Sequence, residues 1–301
     1  MHDKFVVRDG KAVWVGSANF TVGGLEQQDN NCLILTSHQL ATCYTTVLEE
    51  LLQSHHLHTH ESATPPTIEV GNTPLIPFFE PANGDGVGRA ITAALHGARR
   101  VRIAAFLLSD AEILKALLPF AENPHADIRG VYDPNGMKDV LRYTHQDPQL
   151  FWFLSDPRFC AAPSHGFVAG HEQDFMHNKV FVIEDQVVFT GSYNFSENAR
   201  ENDETVLALN STAIAAAYTS YIERLYTIYK ADAVPAPAAV VRERSAASPS
   251  GRKEAGRVAA ARKRSRSRTS GLDRTISFVV ILLVIVLIVA VLLAFLVLHG
   301  G

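Results

Sequence analysis

The segments HDKFVVRDGKAVWVGSANF (residues 2–20) and HNKVFVIEDQVVFTGSYNF (residues 177–195) carry one pattern without a gap. His2, Lys4, Asp9, Gly16, Ser17, Asn19 and Phe20 in the first copy stand where His177, Lys179, Glu184, Gly191, Ser192, Asn194 and Phe195 stand in the second. Ten residues past each asparagine comes another acid, Asp29 and Glu204. Each copy then runs into a short apolar strand and a helix. A repeat this regular decides the reading of the chain.

The spacing has a structural meaning. A histidine and a lysine two apart on a strand point to the same face. Asp9-Gly10 is a hairpin-turn dipeptide, and it returns the chain through Ala12–Val15 to deliver Ser17 and Asn19, again two apart. Phe5, Val7, Val13 and Val15 anchor the hairpin in a core. One copy thus offers an imidazole, an ammonium, a hydroxyl and an amide at one point, and two facing copies offer two of each.

That set suits cleavage of a phosphodiester. A neutral imidazole can attack phosphorus and split one hard step into two. A second, protonated imidazole can give its proton to the leaving oxygen and then activate water or an alcohol. An unperturbed histidine titrates near ~6.5, so both forms coexist near neutrality. Lys4, Lys179, Asn19 and Asn194 would hold the non-bridging oxygens as charge builds. The scheme calls for no metal and no cofactor.

With these residues in view, the chain resembles the phospholipase D superfamily, whose doubled His-x-Lys motif it matches over residues 2–60 and about 74–231. The preceding Asp174-Phe175-Met176 and the stretch GSANFTVGG are similar to bacterial two-motif members. The resemblance implies an α/β fold, an α/β/α sandwich of two pseudo-symmetric lobes with the site between them. It implies that one of His2 and His177 is the nucleophile and the other the general acid, with His2 favoured as nucleophile. It assigns Asp29 and Glu204 to orienting the histidines, and Asp9 and Glu184 to the motif acid. Glu184 departs from the usual aspartate. The second copy is preceded by about a hundred residues of alternating strands and helices and the first only by Met1, so the chain resembles an N-terminally truncated member with an incomplete first lobe. A second chain completing that lobe is an expected partner.

Composition adds a membrane. The chain has 301 residues, 47% hydrophobic and 19% charged, enough for one large or two modest cores. Residues 242–274 hold eleven Lys/Arg and three Asp/Glu, leaving 16 basic and 28 acidic residues before Arg242. A body with a net charge of −12 argues against a generic nucleic-acid surface. The 23 residues 276–298 carry no charge, the length of a helix that spans a bilayer core of roughly 30 Å. With the basic run just before it, the positive-inside rule puts the body on the cytoplasmic side. The expected organisation is the C-terminal part of a first lobe (1–60), a linker (61–73), a second lobe (74–231), a disordered basic tether (232–274) and a transmembrane tail anchor (275–298). A bacterial inner membrane is the expected location.

Secondary structure is read as a strand near 31–36, a helix with Leu40, Tyr44, Val47, Leu48, Leu51 and Leu52 on its apolar positions, strands at 75–79, 101–108 and 128–132, and helices at 90–100, 111–121 and 214–229. Cys32, Cys43 and Cys160 have no metal-ligand or disulfide spacing. The stretch His55-His56-Leu57-His58-Thr59-His60 reads as a solvated loop, and Gly84-Asp85-Gly86-Val87-Gly88 as a strand-to-helix turn. Four functions fit: a phospholipase D-like hydrolase or transphosphatidylase on membrane phospholipid, a membrane-tethered nuclease, a cardiolipin-synthase-type transferase, and a non-catalytic scaffold binding a lipid or a partner.

Overall fold

The computed structural model describes residues 1–58 and 65–232, which fall in one compact unit. The first copy of the repeat builds a three-stranded antiparallel sheet from β1 (Phe5–Arg8), β2 (Ala12–Gly16) and β3 (Cys32–Thr36), with the short helix α1 (Val22–Glu26) between the last two. Helix α2 (His38–Ser54) follows. Ser37 starts it, its hydroxyl accepting from the Leu40 amide at 3.2 Å, and His55 ends it in the left-handed region at φ 63°, where the helix hydrogen-bond ladder stops.

The second copy sits inside an eight-stranded sheet. Its strands are β4 (Ile68–Val70), β5 (Thr73–Glu80), β6 (Arg100–Ala105), β7 (Asp127–Tyr132), β8 (Phe159–Ala161), β9 (Lys179–Ile183), β10 (Val187–Gly191) and β11 (Glu204–Asn210), in the order β4-β5-β11-β10-β9-β6-β7-β8. β6, β7 and β8 are parallel and the other pairings antiparallel. Helices α3 (Gly86–Leu95), α4 (Ala111–Glu122) and α5 (Pro134–Tyr143) fall between these strands, and α6 (Thr212–Ala231) closes the described chain.

Period-two alternation sorts the strands onto two cores. Phe181, Phe189, Ile103 and Val206 pack under α3 and α4 with Ile91, Ile113 and Leu117. Val180, Val182, Val188, Leu207 and Leu209 face the other way and share a core with Leu40, Tyr44 and Val47 of α2, Ile222 and Leu225 of α6, and Val13 and Val15 of the small sheet. The two helices cross the repeat: Tyr44 of α2 bonds Thr205 of β11 at 2.8 Å, and Tyr218 of α6 bonds the Asn31 carboxamide beside β3 at 2.9 Å.

Several expectations shift. Ile68–Val70, read as linker, is an edge strand with Ile68 opposite Leu75 and buried; one apolar residue facing the core is enough to pin it. Helix α3 begins at Gly86 rather than Ala90, because the Glu80 carboxylate accepts from the amides of Asp85 and Val87 and serves as its cap. Leu48 and Leu52 flank the buried stripe of α2 and lie exposed. Helix α5 was not anticipated; its apolar content is low, and Asp133 starts it by accepting from Gly136. Among the described residues no helix is long and apolar enough to cross a membrane. The expected tether beyond residue 232 and the apolar run at 275–298 lie outside the described residues.

Asn31 ties the small sheet to the large one. Its amide donates to Asn178, and its oxygen accepts from Thr190 and Tyr218 at 2.7–2.9 Å. Each of those groups loses its partner in Asn31→Ala, so urea denaturation should show a loss of about 2–3 kcal/mol. Leu52→Ala, at an exposed position of α2, should change it by less than about 0.5 kcal/mol.

Candidate active site

The register of the two hairpins aligns the copies residue by residue. Gly16 pairs with Cys32 in the first, and Gly191 with Val206 in the second. Both glycines are required by close approach, since a Cβ there would run into the backbone oxygen of Asn31 or Thr205. The serine amides donate to those same oxygens, Ser17 to Asn31 at 3.0 Å and Ser192 to Thr205 at 2.9 Å. Counted from this pairing, Asn31 is the counterpart of Thr205, Asn30 of Glu204, and Asp29 of Asp203.

The histidines are held across the repeat. The His2 amide donates to the Asp203 carbonyl at 2.8 Å, and the His177 amide to the Asp29 carbonyl at 2.9 Å. His2 Nδ1 lies 2.8 Å from both carboxylate oxygens of Glu204, which also accepts from Ser192 Oγ at 2.5 Å. His177 Nδ1 lies 3.1 Å from Asn30 Oδ1, which also accepts from Ser17 Oγ at 2.8 Å. The Asn30 amide donates to the Gly24 carbonyl at 2.8 Å. That bond points the Asn30 oxygen at the ring, so Nδ1 of His177 is placed to donate to it, and the ring also interacts with the Ser17 backbone.

Asp29 therefore does not orient His177. It supplies a backbone carbonyl, and its carboxylate accepts from the Tyr229 hydroxyl. The stretch between Asn19 and β3 is one residue longer than its counterpart, so counting forward from the motif lands one position early. Counting back from the strands, Leu33-Ile34-Leu35 against Leu207-Ala208-Leu209, would have found Asn30.

Asp9 and Glu184 are likewise not at the site. Both sit in left-handed turns at the far end of their hairpins, φ 53° and 54°. Seven residues of extended chain, roughly 23 Å, separate each from its histidine. Glu184 instead accepts from the amides of Arg99 and Arg100 at 2.5 and 2.7 Å. Ser17 and Ser192 are fully buried and bonded to the histidines' partners, so they brace the site from behind. Asn19 and Asn194 are half-buried, and the Asn194 carboxamide oxygen has no hydrogen-bond partner.

The cations are tightly enclosed. Lys4 Nζ donates to the His2 carbonyl at 2.6 Å and Lys179 Nζ to the His177 carbonyl at 2.7 Å. Burial draws the Lys4 ammonium down to about 8 against the opposing pull of Glu204 and Asp3. Burial, and then Lys4, holds Lys179 well below the usual lysine range. His177 is likewise held well below the ordinary histidine value by burial, then by Lys179, Lys4 and His2. Phe106, not anticipated from sequence, packs its ring against His177 at 5.0 Å and lies 5.2 Å from the Lys179 ammonium. Lys4, Lys179, His2 and His177 lie close enough to act on one another, a set of donors suited to an anion. Among the described residues no group of three or more His, Cys, Asp or Glu side chains could hold a metal ion.

The residue between each His and Lys differs. Asn178 donates to the Asp29 carbonyl and the Tyr221 hydroxyl, and accepts from Asn31. The carboxylate oxygens of its counterpart Asp3 are buried and neither is hydrogen-bonded. Burial, then Glu204 and Asp203, push Asp3 up to about 7.

Over residues 1–52 and 90–226 the chain matches the family model described as cardiolipin synthase, PLD-like domain. It is 34% identical over 87 residues to the mitochondrial cardiolipin hydrolase of Xenopus laevis, a match covering 25% of this chain and 41% of that protein. The chain thus spans less than half the length of that curated relative. Among solved structures, phosphatidylserine synthase of Haemophilus influenzae superposes with a TM-score of 0.52 at 12% identity, covering 76% of this chain and 62% of that one. NucT from Helicobacter pylori superposes with a TM-score of 0.41 at 22% identity, covering 54% and 99%.

Asp3 gives the site a signature in stability. Its folded value lies above the unfolded one, so its contribution is present below about pH 4 and is lost as pH rises through about 7. The depressed His177 acts in the opposite sense over the same range, so the test is the difference: Asp3→Asn should raise the thermal midpoint over wild type more at pH 8 than at pH 4.

Proposed function

This chain belongs to the phospholipase D-like family, and on that premise we propose that it is a membrane-anchored phosphodiesterase that cleaves a phospholipid phosphodiester through a phosphohistidine. The observation that carries the reading is the crossed pair of histidines, each braced by the other copy, beside two buried lysines. In this reading the phosphate oxygens lie against Lys4, Lys179, Asn19 and Asn194. One imidazole Nε2 bonds to phosphorus as the headgroup oxygen departs. The other gives that oxygen a proton, then takes one from the water that breaks the N–P bond. The anion restores charge to lysines that burial has weakened.

A lipid substrate is favoured over nucleic acid by the acidic body and by the uncharged run at 276–298 behind its basic tract. Transfer to a lipid alcohol in place of water is the second reading, favoured by the family's description as cardiolipin synthase.

We further propose that a second polypeptide covers the outer face of the small sheet. Val6, Trp14 and Ile34 lie side by side on the outer face of the small sheet, with Ile34 69% exposed. Their counterparts Phe181, Phe189 and Ala208 belong to the core under α3 and α4. We place a completing chain on that face. Light scattering should then give a mass above the monomer, and Ile34→Lys should reduce it.

The full chain reconstituted in vesicles of phosphatidylcholine and cardiolipin should release headgroup or phosphatidic acid, with little action on single-stranded DNA or RNA. His2→Ala and His177→Ala should each lower lipid turnover by about 10³-fold or more. Preferential cleavage of nucleic acid by the wild type would move the nuclease reading to first place, and turnover indifferent to both histidines would leave the scaffold reading.

A further inference from the structure

The two copies share one strand register, yet their histidines have different partners: a carboxylate on His2 and a carboxamide on His177. We propose that this unequal pair, Glu204 and Asn30, gives the site its chemical direction, with Asn30 as the positioning residue that makes His177 the acid. The inference rests on the covalent mechanism proposed above and goes beyond it by naming what breaks the symmetry.

The argument is electrostatic. When Nε2 of an imidazole bonds to phosphorus while Nδ1 keeps its proton, the ring becomes cationic. A carboxylate on Nδ1 stabilises that ring in the attack and in the intermediate. Glu204 lies within hydrogen-bond distance of His2 Nδ1 through both oxygens and is itself fully buried, where its charge is poorly screened. Asn30 faces the same ring nitrogen of His177 with its oxygen, since its amide is committed to Gly24. It brings no charge. A cationic ring on His177 is held only weakly, so its proton leaves readily toward a departing oxygen.

The steps balance. His2 Nε2 forms the N–P bond, the P–O bond to the leaving group breaks, and that oxygen takes the proton from His177 Nε2. His177, now neutral, accepts a proton from water, whose oxygen displaces His2 from phosphorus. For His177 to begin protonated it needs the substrate's negative charge between Lys4 and Lys179, which offsets the cations that oppose its charging.

Exchanging the partners should exchange the roles. The probe is bis(p-nitrophenyl) phosphate, whose leaving group departs without a proton, so the adduct forms even when the acid is missing. In the otherwise native full chain, His177→Ala should accumulate a phosphoryl adduct on His2 under alkaline quench and peptide mass spectrometry, and His2→Ala should give none. In the background Asn30→Asp with Glu204→Gln the pattern should invert, with the adduct on His177 in the His2→Ala protein. An adduct that stays on His2 after the exchange overturns the inference and leaves the covalent mechanism standing. No adduct on either histidine in any background overturns both.

A second measurement uses Asn30→Asp alone, a change of nearly the same shape. The added carboxylate should move the alkaline limb of kcat/KM upward by about one pH unit or more. An unmoved limb would mean that Asn30 serves only to pack the loop, and the inference would fall.

Discussion

The structure depends on a crossed exchange between the two copies of the repeat. Each histidine is fixed by its backbone amide to a carbonyl of the other copy and by its ring to a side chain of the other copy. The helices repeat the exchange one layer back through Tyr44 with Thr205 and Tyr218 with Asn31. Neither copy orients its own imidazole. The active geometry is a property of the interface, and the shared core of α2, α6 and both inner sheet faces keeps that interface from sliding.

Enclosing two lysines and a histidine at one point is unfavourable in water-free surroundings. The lysines offset part of the cost by donating to the carbonyls of the histidines two residues before them. Glu204 and Asp3 add carboxyl groups on the first copy's side, but Asp3 has no hydrogen-bond donor against it. The second copy's side holds amides and tyrosine hydroxyls at the matching places. The result is a cluster of two lysines and two histidines with its carboxyl groups on one side. A histidine brought down by its neighbours and a partner backed by a carboxylate are two different tools built on one template.

Much of this was legible in the sequence because the repeat carries its own register. The His-x-Lys spacing, the Asp9-Gly10 turn and the alternation of Phe5, Val7, Val13 and Val15 point to the hairpin, and the hairpin brings His, Lys, Ser and Asn together. What escaped was set by contacts distant in sequence. Asp29 fitted a count of ten from the motif, but the extra residue around α1 shifts the register, and only the pairing of β2 with β3 reveals Asn30 as the residue on the ring. Asp9 and Glu184 recur at one position, which reads as chemistry, but their backbone angles show a turn requirement. Phe106 approaches from β6's end with no local pattern of its own. The three residues of β4 were hidden because one buried isoleucine in a Pro- and Thr-rich stretch gives no periodicity.

His2 and Glu204 stand 202 positions apart in the chain, and that distance orders events during synthesis. Contacts so remote are the last that a growing polypeptide can make. Until β11 and α6 have emerged, the first hairpin has its histidine but neither the carboxylate that braces it nor the helix that covers its neighbours. A nascent or prematurely ended product therefore contains a motif without a catalyst. The brace on His2 therefore forms late, once β11 and α6 have joined the first hairpin.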